Sequence, residues 1–240
     1  MAQLEQLIDV PARAMAVGAH PDDAELHAGG SLARWIAAGC EVTLVVCTDG
    51  DAGSGDPDVS REAVTRARRV EQEAAAKVLG IREVAWLGFP DGGLEDSLAF
   101  RSRLVEMIRR YRPDTVLTHD PHVRRRFSHR DHRIAGMVVQ DAVFPFARDR
   151  LHFPEQVAAG LDPHKVTELL FWDVDEPAAI VDVSGCVGKQ ADALGRHRSQ
   201  LGGLPCGPEP FVWLLERSRA VAVGESFESG EVFRRLIAPG

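Results

Sequence analysis

Several things are scarce in this sequence, and each shortage removes a class of function. Positive charge is in deficit: 28 Lys and Arg stand against 36 Asp and Glu, a net charge of −8. General nucleic-acid binding needs a basic surface, so nucleic acid is not expected as a partner. Long apolar runs are missing. None approaches the roughly 20 residues that span a bilayer, so no membrane span is expected. Residues 1–12 carry acidic residues and no long apolar core, unlike a secretory signal. The four cysteines, Cys40, Cys47, Cys186 and Cys206, lack C-x-x-C spacing. Cys40 and Cys47 bracket a predicted strand that would hold them too far apart to bridge. All four read as thiols of a reducing, cytoplasmic compartment. Three catalytic signatures are also absent. There is no G-x-S-x-G for a serine hydrolase and no H-E-x-x-H for that class of metalloprotease. Gly18, Gly29 and Gly30 are wrongly spaced for a dinucleotide-binding turn.

What is present is an alternating pattern. Apolar runs at 14–19, 41–47, 83–87 and 115–118 read as buried strands. Between and after them, amphipathic stretches predict helices from about Leu26 to Ala38, over 60–79, over 97–111 and over 133–144. Strand and helix in alternation predict an α/β fold. Its sheet should be mostly parallel, with helices on both faces, and one domain should span residues 1–240. The last third is less regular. Residues 146–165 have no clear period and read as a long connection, a candidate lid. Strands are expected at 168–172 and 179–183 and a helix at 187–197; 211–223 is ambiguous between the two.

The polar residues gather after the predicted strands, where ligands bind in open α/β sheets. The first group is Ala19-His20-Pro21-Asp22-Asp23-Ala24-Glu25, with one imidazole and three carboxylates within six residues. His20 and Asp23 are suitable ligands for a divalent metal, and Asp22 could serve as a base beside it. A plain alternative is a polar turn whose aspartates cap the helix. The second group is His129-Arg130-Asp131-His132, after the fourth strand. Histidines three apart at a helix start can face the same side. An open metal site needs a third ligand, for which His132 is chosen. His129 is then left to donate to a developing oxyanion, and the reverse assignment of the two stays open. The plain alternative here is a pair of surface histidines in an arginine-rich loop.

The first group, followed by Gly29-Gly30, resembles the signature of the LmbE-like / PIG-L family of zinc-dependent N-deacetylases. So does Thr118-His119-Asp120-Pro121-His122 together with His129-Arg130-Asp131-His132-Arg133. Arg68-x-x-Glu71, Pro90-Asp91-Gly92-Gly93-Leu94, Pro163-His164-Lys165-Val166 and His197-Arg198-Ser199-Gln200 are similar to further features of that family. The resemblance implies a Rossmann-like fold and hydrolysis of the acetamido group of an N-acetylglucosamine-type sugar or conjugate, giving acetate and a free amine. It implies one Zn²⁺ per chain on His20, Asp23 and His132, or another divalent metal in its place. It also implies Asp22 as general base, His129 at the oxyanion, and Arg68 and Asp91 as sugar contacts.

Two positions depart from the family pattern. Phe127 stands where some relatives have a tyrosine, and the only tyrosine, Tyr111, falls at a predicted helix end. Position 27 is histidine instead of a frequent glycine, either an extra polar contact in the site or, the reading favoured here, a surface helix residue. The expected partner is a small N-acetylated sugar or conjugate. Arg124, Arg125, Arg126, Arg130 and Arg133 could steer an anionic group on it. Self-association into a homo-oligomer is left open. The rival readings are an amidase for another acyl-amine, such as a thiol-conjugate amide, and a non-catalytic sugar-binding relative.

Overall fold

The computed structural model describes residues 4–239. An eight-stranded sheet runs through the molecule in the order β1-β7-β8-β6-β5-β2-β3-β4. Its strands are β1 (Glu5–Gln6), β2 (Arg13–Gly18), β3 (Glu41–Thr48), β4 (Glu83–Phe89), β5 (Thr115–His119), β6 (Glu168–Trp172), β7 (Ala179–Asp182) and β8 (Gly230–Ile237). Only the pairings of β8 with β6 and with β7 are antiparallel. The mostly parallel, helix-covered α/β architecture expected from the alternation is therefore the one observed.

Side-chain alternation along β2 divides the core. Ala14 and Ala16 face a layer that includes α1 (Asp23–Ala37), α6 (Val187–Leu194) and α7 (Pro210–Val221). Met15 and Val17 face α3 (Leu98–Tyr111) and α4 (Arg130–Asp141) on the other side. Successive residues of a strand point to opposite faces, so a strand buried on both must be apolar throughout. The helix α2 (Arg61–Leu79) packs beside α1 and α6 through Ala75 and Leu79. It starts at Ser60, whose hydroxyl accepts from the Ala63 N–H, and stops at the left-handed Gly80.

The sheet order places the site. β2 lies between β3 and β5, so the connections leaving β2 and β5 diverge. A crevice opens at the carboxyl ends of these two strands. There α1 starts one turn earlier than its apolar pattern suggests, at Asp23 instead of near Leu26. Asp23 and Glu25 thereby fall in the first turn, where the helix dipole favours carboxylates. α4 crosses the end of β5 at Gly136, where an added Cβ would lie 2.3 Å from the His119 carbonyl oxygen. A glycine is required for that approach.

Several expectations are corrected. The last strand, β8, was not anticipated, because Arg234 and Arg235 interrupt its apolar run. Arg235 reaches Glu168 and Glu5, and Arg234 reaches Asp120, so both charges are neutralised within the sheet. The ambiguous 211–223 stretch is helical, as α7.

The candidate lid, residues 146–165, is held down at the amino ends of β5 and β6, the end of the strands away from the crevice. Arg109, near the C-terminal end of α3 and 2% exposed, donates to the carbonyls of Phe146, Ala147, Asp149, His152 and Phe153 and to the Gln156 side chain. His164 is tied to the Pro113 carbonyl at 2.7 Å. The segment, which includes the short helix α5 (Pro154–Ala158), wraps a buried guanidinium. Arg109→Met should lower the unfolding free energy by roughly 3 kcal/mol, the scale of stranding buried acceptors. Chemical denaturation checks this, and a loss below about 1 kcal/mol would contradict the clamp.

Candidate functional site

The turn after β2 puts Asp22 in the left-handed region, with φ of 99°. This is an uncommon state for a residue with a Cβ. The turn is held from α2. The Asp22 N–H donates to Gln72 Oε1 (3.1 Å), and Gln72 Nε2 donates to the buried Glu25 (2.7 Å). Arg68 gives one nitrogen to Asp22 Oδ2 (3.0 Å) and the Pro21 carbonyl (2.6 Å), and another to the Gly50 carbonyl (3.0 Å). Gly50, with φ of 62°, lets the guanidinium lie where a Cβ would be only 2.3 Å away. Burial pushes the Asp22 carboxyl up to about 6, against the pull of Arg68 and aided by the Asp23 charge.

Asp23 opens α1 and faces three histidines. Its Oδ2 accepts from the His20 N–H (2.7 Å) and lies 3.0 Å from His119 Nε2. Its Oδ1 lies 3.3 Å from His132 Nε2. Burial works against its charge, but His119 and His132 outweigh burial and hold it well below the usual carboxylate range.

His20 shows how negative the pocket is. Its Nε2 contacts Asp91 Oδ1 at 3.0 Å and Asp131 Oδ2 at 3.5 Å. Burial opposes a charged imidazole there, yet Asp131, Asp91 and Asp23 prevail and push its pKa up to about 10. Asp91 in turn is held down to about 2, its burial offset by His20. Asp131 is fully buried at the start of α4 and accepts from the Gly92 and Leu94 N–H groups. It thereby fastens the loop after β4 to the second histidine group.

The expected ligand atoms do converge. His20 Nδ1 is 3.2 Å from His132 Nε2 and 3.7 Å from Asp23 Oδ2, and His132 Nε2 is 3.3 Å from Asp23 Oδ1. Bonds of 2.0–2.1 Å at tetrahedral angles place ligand atoms about 3.3 Å apart. Two imidazoles and a carboxylate among four buried or half-buried aspartates therefore fit a divalent cation, and this group could bind a metal. His20, His129 and His132 also group within 4.8 Å, as do Asp23, His119 and His132, and His20, Asp91 and Asp131.

His129 caps α4. Its Nδ1 accepts from the Asp131 N–H (3.2 Å), so Nε2 carries the ring proton and remains a donor. Burial, then the neighbouring His20 and His132, lower its pKa, favouring the neutral ring.

The remaining expectations fall out unevenly. Arg68 and Asp91 reach the site, but Arg68 is 4% exposed and both side chains are bonded to protein groups. Phe127 points fully into solvent, and Tyr111 donates to Glu83, so no phenol enters the site. His27 is not a surface residue: it stacks on Trp172 with an interplanar angle of 8°. Of the five arginines, Arg125 and Arg126 pair with Glu176, Asp175 and Asp173, and Arg130 and Arg133 bond backbone carbonyls.

His119, Trp172, Gln72 and Asp131 were given no role in advance. The available signal was a histidine ending an otherwise apolar run at 115–119.

Comparison with known proteins points to one family. Residues 15–143 match the profile of the PIG-L family, described as GlcNAc-PI de-N-acetylase. The chain is similar to a diacetylchitobiose deacetylase of Thermococcus kodakarensis, 31% identical, over 78% of this chain and 70% of that protein. It is also similar to a mycothiol S-conjugate amidase of Streptomyces coelicolor, 32% identical, over 64% of this chain and 59% of that one. Among solved structures, an N,N'-diacetylchitobiose deacetylase from Pyrococcus horikoshii superposes with a TM-score of 0.86. It is 26% identical and covers 96% of this chain and 88% of its own. With the profile spanning both histidine groups and a relative above 30% identity aligned over most of both chains, this protein belongs to the PIG-L family.

Proposed function

We propose that the protein is a zinc-dependent hydrolase. It removes the acetyl group from an N-acetylglucosamine-type sugar or conjugate and releases acetate and a free amine. The observation that carries the reading is the convergence of His20, Asp23 and His132, whose nearest side-chain nitrogen and oxygen atoms lie 3.2–3.7 Å apart, with Asp22 adjoining them in the chain and the His129 ring packed against His20. The deacetylases and the amidase to which the chain is similar give the substrate class.

A bound Zn²⁺ would supply Lewis acidity and bring the pKa of water towards about 7. The chain's own residues do the rest. Arg68 occupies Asp22 Oδ2, so the other carboxylate oxygen is the one that accepts the proton of the attacking water. His129 Nε2–H donates to the carbonyl oxygen as negative charge develops on it. Because His129 Nδ1 is taken by the helix cap, the neutral ring has no second proton to give. Asp22 therefore returns its proton to the nitrogen as the C–N bond breaks. Asp91 holds His20 by Nε2 and leaves Nδ1 facing His132, so Nδ1 would be the atom that holds a metal and Asp91 an outer partner of the kind metal-bound histidines have. Arg68 and Asp91 act on the sugar chiefly through the groups they position. Of the rim arginines, Arg126 is paired with acids, while Arg130 and Arg133 bond neutral carbonyls and keep their charge for an anionic group on the substrate.

A second reading, hydrolysis of a thiol-conjugate amide, is favoured by the similarity to the amidase and would use the same residues. The four cysteines are unbridged, and no helix among the described residues is long and apolar enough to cross a membrane. The free thiols support a cytoplasmic location.

Primary-amine and acetate release, followed over N-acetylated sugars and thiol-conjugate amides with Zn²⁺-loaded protein, tests the proposal. Turnover of an N-acetylglucosamine sugar is expected. Turnover confined to other amides would favour the second reading, and none on either would refute both.

Arg68→Gln separates its two roles. Acting through Asp22, it should lower kcat by at least about tenfold and leave KM nearly unchanged. A rise in KM at constant kcat would instead make Arg68 a direct sugar contact.

A further inference from the structure

We propose that His119 and Trp172 form a positioning pair that decides which oxygen Asp23 offers to the metal; this rests on the metal reading above. The two residues end adjacent parallel strands and are register partners, His119 on β5 and Trp172 on β6. Both are sealed from solvent, at 1% and 0% exposure.

The argument follows protons. An indole nitrogen only donates. Trp172 Nε1–H lies 3.0 Å from His119 Nδ1, so that nitrogen must present its lone pair. The proton of the neutral ring is then on Nε2, which donates to Asp23 Oδ2 at 3.0 Å. The Ala19 N–H also lies near Nε2, at 3.3 Å, but cannot be accepted by a nitrogen that carries a proton. Asp23 Oδ2 receives a second donor, the His20 N–H, at 2.7 Å. Oδ1 is left turned to His132 Nε2 at 3.3 Å.

Two consequences follow. Asp23 presents Oδ1 to the ion, because Oδ2 is filled by two N–H groups. His119 is not itself a ligand, although it groups with Asp23 and His132. Its one lone pair faces Trp172, away from them. The ring also stacks on His132, with centroids 3.9 Å apart and planes at 22°, and so orients a ligand imidazole as well. A carboxylate held this way needs no rearrangement on binding, and such outer partners typically contribute about 10–100-fold in metal affinity.

Three variants and one spectrum test the pair. Nitrogen-15 NMR of the metal-free wild type should show His119 protonated on Nε2 and bare on Nδ1; a proton on Nδ1 would overturn the proposal. In chelator competition, His119→Leu should bind Zn²⁺ about 10–100-fold more weakly than wild type. His119→Gln, whose amide N–H can stand in for Nε2–H, should recover to within about threefold. Trp172→Phe keeps the bulk and loses the donor. It should weaken Zn²⁺ by roughly tenfold and let both His119 tautomers appear in the spectrum. Equal affinity in wild type and His119→Leu would overturn the positioning role alone. A wild type that takes up no Zn²⁺ would instead overturn the metal reading, and this proposal with it.

Discussion

Three carboxylates, those of Asp23, Asp91 and Asp131, converge on His20 inside a largely buried pocket, and Asp22 adjoins Asp23 in the chain. Like charges so close in a low dielectric are strongly unfavourable unless cations and N–H groups meet them. Much of the surrounding structure supplies that compensation. Arg68 neutralises Asp22 from α2, and backbone N–H groups of the loop after β4 satisfy Asp131. Asp131, Asp91 and Asp23 raise the proton affinity of His20, so the pocket favours a positive charge at its centre. A divalent ion bound by His20, Asp23 and His132 would provide it.

The sheet is what makes that convergence affordable. β2 and β5 are adjacent, both are buried on two faces, and their following segments diverge around the crevice. Each strand end delivers a polar residue to the same place: His20 after β2, Asp91 after β4, His119 from β5 and Trp172 from β6. The left-handed Asp22 at the head of α1 sets the proposed base directly beside Asp23, the proposed ligand.

Much of this was legible in the chain. The strands β2, β3 and β5 are apolar runs, and a run of that kind in an α/β pattern is a parallel strand buried on both faces. Histidines and aspartates immediately after such runs could hardly lie anywhere but the crevice. The hidden part is relational. Nothing local to Trp172 says that its N–H meets His119, since that depends on the register of two strands more than fifty residues apart. β8 was masked because Arg234 and Arg235 find their acids only in tertiary structure. The anchoring of residues 146–165 was hidden too, because periodicity cannot reveal a buried arginine on another helix.

The division of labour between Asp22 and Asp23 is the centre of the account, and one paired measurement bears on it directly. Metal content and steady-state kinetics would be determined for Asp22→Asn and Asp23→Asn. Asp23→Asn should lose Zn²⁺ on mild chelation, and activity with it. Asp22→Asn should keep about one Zn²⁺ per chain while kcat falls by about 10²–10⁴-fold, the scale of a lost general base. An Asp22→Asn protein that retains both its metal and full turnover would contradict the mechanism.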